Sequence, residues 1–494
     1  VENLALVSKI IITPIYLICL LVLCGFGLHR YYLTRLFNRY KKVIPKPKAY
    51  FRSLPKVTIQ LPIYNEQYVV ERIIKSVCEI EYPKELLEIQ VLDDSTDLTI
   101  DIANTSVEKF RASGFNINYI HRDSRIGFKA GALSEGLLRA EGDYIAIFDA
   151  DFIPPRDFLK VTINYFTDPT VGIVQARWAH LNLNYSTLTQ AQSILLDGHF
   201  LIEQSSRFYG GKFFNFNGTA GVLRKECIES VGGWQHDTLT EDLDLSYRAQ
   251  LEGWRLIYLK DIVANAELPV DMNAFKSQQH RWTKGGIQTA KKLLPRVFRS
   301  KKISPSVKTE AAIHLLGNFS YILLLLLIVF MAPMAYFWRS YGWGNIIFLN
   351  LIAVSSGTLS IVRFYLIVIK ETHKDEWTNY LKYIPLAMAL GIGLAINNSK
   401  AALEALLGKS SDFRRTPKFA VTNEGGNWRK GTYSTQNEFS TLIELGLGVM
   451  FVILTYYAVS MGLVGWIPFL ILIQIGFIYT SVLSIVHSSP RKRA

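Results

Sequence analysis

KVTIQLPIYNE (residues 56–66), EQYVVERIIKSVCEI (66–80) and LEIQVLDD (87–94) decide the fold, because they switch between two hydrophobic periods within forty residues. The first and third are short β-branched runs bounded by polar residues, and the second has apolar positions at helical spacing. The alternation continues through a helix over residues 100–110, INYIHRD (117–123), FKAGALSEGLLRA (128–140) and YIAIFDAD (144–151). This is the βαβ rhythm of a parallel sheet with helices on both faces. Ligands of such sheets bind at the carboxyl ends of the strands. Three strand ends here finish in polar chemistry: Tyr64 to Glu66, Asp93 with Asp94, and Asp149 with Asp151.

In an extended segment residues i and i+2 project to the same side, so Asp149 and Asp151 are expected to approach one oxygen-loving cation together. Aspartates at strand ends are also common turn formers, and Asp93 and Asp94 also suit a capped helix start. The chain has no GxxxxGK[ST] loop and no GxGxxG after the first strand, so nucleotide binding has to use carboxylates and a metal, with Lys129 as a phosphate partner. Glu241 and Asp242 open the segment DLSYRAQLEGW, where an acidic first turn either complements the helix dipole or presents a general base. In FNFNGTAG (214–221), Gly218 and Gly221 allow close backbone approach, as an ordinary turn also would. In SQQHRWTKGG (277–286), helical geometry puts Gln278, Arg281 and Trp282 on one face and turns His280 elsewhere. An indole offers a sugar ring a flat apolar face, a guanidinium pairs with phosphate oxygens, and an amide bonds hydroxyls. A Trp and Arg at lipid headgroups would look similar.

The flanks belong to a membrane. Residues 5–28 are almost unbroken apolar sequence, enough at ~1.5 Å per residue to cross a ~30 Å hydrocarbon layer, and lack an A-x-A-like cleavage site. Further apolar runs occupy residues 311–338, 344–369, 381–397, 440–462 and 464–487. Basic residues mark one side: Arg30 to Lys42, Lys291 to Lys308, Arg414 to Lys418, and Arg491 to Arg493. Putting them all on the cytoplasmic side requires an even number of crossings between residues 310 and 414. The run 381–396, with its glycines and amphipathic sequel KAALEALLGK, is therefore read as interfacial or re-entrant, which gives five crossings. The net charge of +13 sits beside the spans rather than in a basic-aromatic patch, so anionic lipid explains it and nucleic acid does not. The four cysteines show neither metal nor disulfide spacing.

YNE, DD, DxD, ED and QxxRW, in that order between one N-terminal span and a C-terminal span cluster, resemble the membrane-embedded family 2 glycosyltransferases of the cellulose synthase and plant mannan synthase type. The resemblance implies an α/β GT-A, Rossmann-like cytoplasmic domain inserted between transmembrane helices, followed by a helical membrane domain. It implies a nucleotide-sugar donor held on its nucleobase side by Tyr64, Glu66 and Asp94 with Asp93 beside them, and on its phosphates by Lys129 and Arg281. Asp149 and Asp151 would hold Mg2+ or Mn2+, and Asp242, with Glu241 next to it, would be the base of an inverting transfer. Gly218, Thr219, Gln278 and Trp282 would meet the growing glycan acceptor. FRRTPKFAVT (413–422) resembles the loop that closes over the donor in cellulose synthases. DDS and FNGTAG are closer to mannan synthases, which leaves both UDP-glucose and GDP-mannose open.

The expected layout is a first span over 1–29, a basic linker over 30–53, the catalytic domain over 54–300, a membrane domain over 301–489 with the loop-like segment 411–424, and a basic tail over 490–494. The expected protein is a multi-pass enzyme of the inner, or plasma, membrane that elongates and translocates a β-glycan, alone or with accessory export subunits. Its alternative is a lipid glycosyltransferase of the ceramide type that adds one hexose.

Overall fold

The computed structural model describes the backbone of residues 11–340, 344–409, 415–423, 425, 426, 428–431, 433 and 439–488, and their side chains except those of residues 335–349 and 430. The beginning of the first apolar run, residues 411–414 and 424 of the loop-like segment, including Arg414, and the tail 490–494 lie outside the described residues.

One eight-stranded sheet organises the chain between the membrane helices. Its strands are β1 (Val57–Ile63), β2 (Leu87–Asp93), β3 (Asn116–His121), β4 (Tyr144–Ile147), β5 (Phe152–Ile153), β6 (Val171–His180), β7 (Gly221–Arg224) and β8 (Arg255–Ala266), in the order β3-β2-β1-β4-β7-β6-β8-β5. The sheet is parallel only from β3 to β4 and between β6 and β8. The strands read from residues 56–151, β1 to β4, are parallel as expected, while β7 runs antiparallel to both its neighbours and β5 antiparallel to β8. This Rossmann-like half joined to a mixed half is the GT-A arrangement. Every residue of β2 and β4 is buried, as strands covered on both faces require.

The antiparallel strand is what positions the site. Because Ile147 pairs with Gly221, the residues leading into β7 return alongside those leaving β4. The Ala220 N–H donates to the Ile147 carbonyl at 2.8 Å, and Gly218 and Thr219 are thereby carried next to Asp149. No periodicity in FNFNGTAG announces that pairing.

Among the described residues five helices are long and apolar enough to cross a membrane: Thr13–Tyr40, Pro305–Met334, Asn350–Thr372, Ser440–Ser460 and Val464–His487. The pair Trp377–Gly393 and Ala395–Leu406 is bent by 40°, so a sixth crossing arises only if the pair is one broken span. The first helix continues without a break to Tyr40, so residues 30–40, read above as linker, extend it instead.

Candidate active site

The carboxyl ends of β1, β2 and β4 face the helix Met272–Arg299 across a cavity of about 170 Å3. Asp149 and Asp151 both line it, but not as an extended pair. β4 ends at Ile147 and the chain turns before β5, with the Phe152 N–H donating to the Asp149 carbonyl at 3.1 Å. The turn, rather than strand alternation, brings both aspartates to the cavity. Lys129 bridges this region, donating to Asp149 Oδ1 at 2.5 Å and to the Gly218 carbonyl at 3.0 Å. Burial would lower its pKa, but Asp149 and then Glu241 raise it, so it stays an ammonium. Gly218 has φ +80°, and a Cβ there would come within 3.0 Å of Asp242 Oδ2 and 3.4 Å of Lys129 Nζ. Glycine is thus the residue that lets the β7 approach pass close to both charges. Thr219 does not meet the cavity. It is fully buried, and its Oγ1 accepts from the Asp149 N–H at 2.9 Å, which makes it a positioning residue and corrects its expected acceptor contact.

Glu241 and Asp242 begin the helix Glu241–Leu251 and line the cavity. Burial first, and then the adjacent Glu241 charge, push the Asp242 carboxyl up to about 7, against the pull of Lys129 and Arg281. A carboxylate near that value takes a proton and gives it up again at neutral pH. Gln278, Arg281 and Trp282 open onto the same cavity, one turn of helix apart, while His280 pairs with Glu404 at 3.3 Å. Glu241, Asp149 and Asp242 support the charge of the half-buried Arg281, although desolvation lowers its pKa overall.

On the β1 side, the Arg125 guanidinium lies 3.4 Å from the centre of the Tyr64 ring. Asp94 is held by Arg122 through two bonds, Nε to Oδ1 at 2.7 Å and Nη2 to Oδ2 at 2.5 Å. Asp93 is fully buried away from the cavity, accepting from the Ser95 N–H at 3.0 Å and the Tyr119 hydroxyl at 2.6 Å. It braces the β2 end and does not face a donor, a second correction.

The segment after residue 414 reaches into the same cavity. Arg415 Nη1 lies 2.8 Å from Glu66 Oε2, and Lys418 Nζ lies 2.7 Å from Asp151 Oδ2. Phe419 N–H donates to Glu267 Oε1 at 2.9 Å. Burial lifts the Glu66 carboxyl to about 7 despite Arg415. The sequence reading counted Arg415 and Lys418 with the basic residues beside the spans and, through FRRTPKFAVT, likened the segment to a loop over the donor; both side chains are largely buried against carboxylates that line the cavity. Arg125, Glu267, Trp178 and Asn217 also line the cavity and were not singled out, since none stands in a pattern that separates it from ordinary strand or loop residues.

Asp149 and Asp151 suit a hard divalent cation. Each carboxylate also faces a cation, Lys129 and Lys418 respectively. Among the described residues no third His, Cys, Asp or Glu joins them, so the remaining ligands would be diphosphate oxygens and water.

Residues 55–285 match the family described as Glycosyltransferase like family 2. Glucomannan 4-beta-mannosyltransferase 1 of Oryza sativa subsp. japonica is 41% identical over 278 residues, covering 55% of this chain and 53% of the relative. Glucomannan 4-beta-mannosyltransferase 2 of Arabidopsis thaliana is 41% identical over 256 residues, covering 51% and 48%. The chain thus matches these curated relatives over about half of their length. A mannosyltransferase from Pyrobaculum calidifontis, solved with GDP-mannose and Mn2+, superposes with a TM-score of 0.52 at 21% identity, over 81% of this chain and 100% of that one, a likeness of fold.

Proposed function

We propose, for a chain whose residues 55–285 match the family described as Glycosyltransferase like family 2, an inverting β-hexosyltransferase of the cellulose synthase-like type that elongates a glycan and passes it towards its own membrane helices. The observation that carries this reading is the adjacency of two cavities that share part of their walls. The first holds the charged groups described above. The second, of about 430 Å3, lies among the membrane-proximal helices and shares Trp178, Asn217, Thr240, Asp242 and Trp282 with it. Asp242 lines both cavities, so an acceptor held in the second would meet it.

Asp242 takes the proton from the acceptor hydroxyl as that oxygen attacks the anomeric carbon. The bond from that carbon to the diphosphate breaks on the opposite face, inverting the configuration. Arg281 and Lys129 neutralise the departing diphosphate. Trp282 carries the acceptor's terminal ring, and Gln278 bonds its hydroxyls. Asp149 and Asp151 would hold Mg2+ or Mn2+, whose chemistry when bound is to offset diphosphate charge. The relatives' names favour a mannose donor. Asp151→Asn should weaken donor binding in the presence of metal and leave little metal dependence. Unchanged metal dependence by calorimetry would remove Asp151 from that role.

The test of the whole reading is to incubate the purified protein with UDP-glucose and GDP-mannose separately and to size the products. The expected product is a β-linked polymer from one donor. A single hexose on a lipid would overturn the reading.

A further inference from the structure

The helix Met272–Arg299 has a second charged face, turned away from both cavities. Lys276, His280 and Lys284 follow one another at intervals of four residues, which at about 100° per residue puts them within about 80° of arc. None of the three lines either cavity. Gln278, Arg281 and Trp282 are centred about 150° away around the same axis.

Each residue of this second face meets a carboxylate of the membrane domain. Lys276 Nζ lies 2.5 Å from Glu444 Oε2 on the helix Ser440–Ser460. Lys284 Nζ and His280 Nε2 lie 3.1 and 3.3 Å from Glu404 Oε2 on the helix Ala395–Leu406. The Lys276 carbonyl also accepts from Asn397 Nδ2 at 3.0 Å. Just before it, Asn273 Nδ2 donates to the Ser484 carbonyl at 3.0 Å and to Ser488 Oγ at 2.9 Å. The part of the helix that carries Gln278, Arg281 and Trp282 is thus bonded to membrane-domain helices. Further along it is tied to the catalytic domain, where Gln288 Oε1 accepts from the Leu239 N–H at 2.9 Å and Lys292 Nζ meets Asp244 Oδ1 at 2.8 Å.

Glu444 is fully buried, Lys276 nearly so, and Glu444 is the one charged residue of its helix. Ionisable residues in such segments are costly and mark function more often than stability. An ion pair withdrawn from water repays its desolvation poorly, and apolar side chains of similar volume in its place are often as stable or more so. What the pair supplies beyond apolar packing is a fixed direction. Leverage sets the consequence at the cavity. A turn of about 10° around the helix axis moves a side-chain atom about 6 Å from that axis by about 1 Å. A misplacement of about 1 Å can cost about a hundredfold in rate.

We infer that Glu444, acting through Lys276, is a positioning residue for transfer: the pair fixes the rotation of the helix Met272–Arg299, and with it the placing of Arg281 at the diphosphate and Trp282 at the acceptor. This rests on the roles proposed for those two residues above.

The test uses the full chain in detergent and reads, within one sample, sugar incorporated against donor hydrolysed by water. That ratio does not depend on how much of the protein folds. Lys276→Met with Glu444→Leu replaces the pair by apolar side chains of similar volume. Its unfolding temperature should equal or exceed that of the natural sequence, while the ratio should fall by about tenfold or more. A second apolar arrangement, Lys276→Leu with Glu444→Met, covers the case in which the first packs poorly. Reversing the pair, Lys276→Glu with Glu444→Lys, restores the contact and should return most of the ratio. A native ratio in a folded apolar pair overturns the proposal and leaves Lys276 and Glu444 in a packing role. So does a reversed pair whose ratio stays at the apolar level. Trp282→Ala, run alongside, separates the two readings: if that variant keeps the native ratio, the acceptor role of Trp282 fails instead.

Discussion

In the base role proposed for it, Asp242 has to be ionised, and burial with the adjacent Glu241 charge moves that condition from the ordinary 3.8 to about 7. The sign follows directly: below about pH 7 the protonated fraction grows and transfer should fall towards tenfold per pH unit, levelling above about pH 8. A pH–rate profile with its acid limb near 4 would remove the raised value from the mechanism. Asp242→Asn should abolish transfer while nucleotide-sugar binding, measured by calorimetry, stays within a few fold. Trp282 makes the complementary case. Loss of its stacking face should weaken acceptor positioning by about tenfold to a hundredfold, corresponding to about 1–3 kcal/mol. Trp282→Ala should therefore stop sugar incorporation while water still hydrolyses the donor, and Trp282→Phe should keep part of the activity. Normal elongation by well-folded Trp282→Ala protein would return the residue to a headgroup-anchor role. At this scale the sequence was informative wherever residue type and helical spacing coincide, as in Gln278, Arg281 and Trp282. It misled at Thr219 and Asp93, whose polar groups serve neighbouring backbone and side chains rather than a ligand.

Among the elements, the contact between the helix Met272–Arg299 and the start of the helix Glu241–Leu251 is tight and lies next to the site. A Cβ on Gly285 would lie 2.6 Å from Thr240 Cγ2, 2.7 Å from its Oγ1 and 2.9 Å from its backbone nitrogen. Backbone on that side cannot rotate away, so Gly285→Ala should cost about 1–3 kcal/mol of stability. The displacement is passed to Glu241 and Asp242, the next residues in the chain, and transfer should fall by more than about tenfold. Thermal unfolding and transfer rates check both, with Gly446→Ala, where a Cβ meets nothing within 4 Å, as the neutral control. Strands and helices between residues 57 and 147 were legible because local periodicity creates them. β7 was not, because its antiparallel placement beside β4 follows from contacts across more than seventy residues.

For the whole molecule, the reach of the 415–422 segment into the cavity bears on membrane topology. Lys418 meets Asp151 and Arg415 meets Glu66, so this segment and the catalytic domain share one side of the bilayer. An even number of crossings must then separate residues 310 and 415, in agreement with two spanning helices and a bent, non-crossing pair. In a background without the four native cysteines, Ser460→Cys should react with an impermeant thiol reagent from outside the sealed membrane, and Lys409→Cys should not. Labelling of Lys409→Cys from outside would break the five-crossing arrangement.

By itself the sequence determined the parallel half of the sheet, the apolar helices and the order of the polar motifs, because these depend on periodicity and residue chemistry within short windows. Only the tertiary structure decided which polar residues share a cavity. The antiparallel β7, the turn between β4 and β5, the return of Arg415 and Lys418 to Glu66 and Asp151, and the pairing of Lys276 with Glu444 all arise from packing between distant segments. Their energies come from burial and charge pairing across the fold, which no local pattern in the chain records.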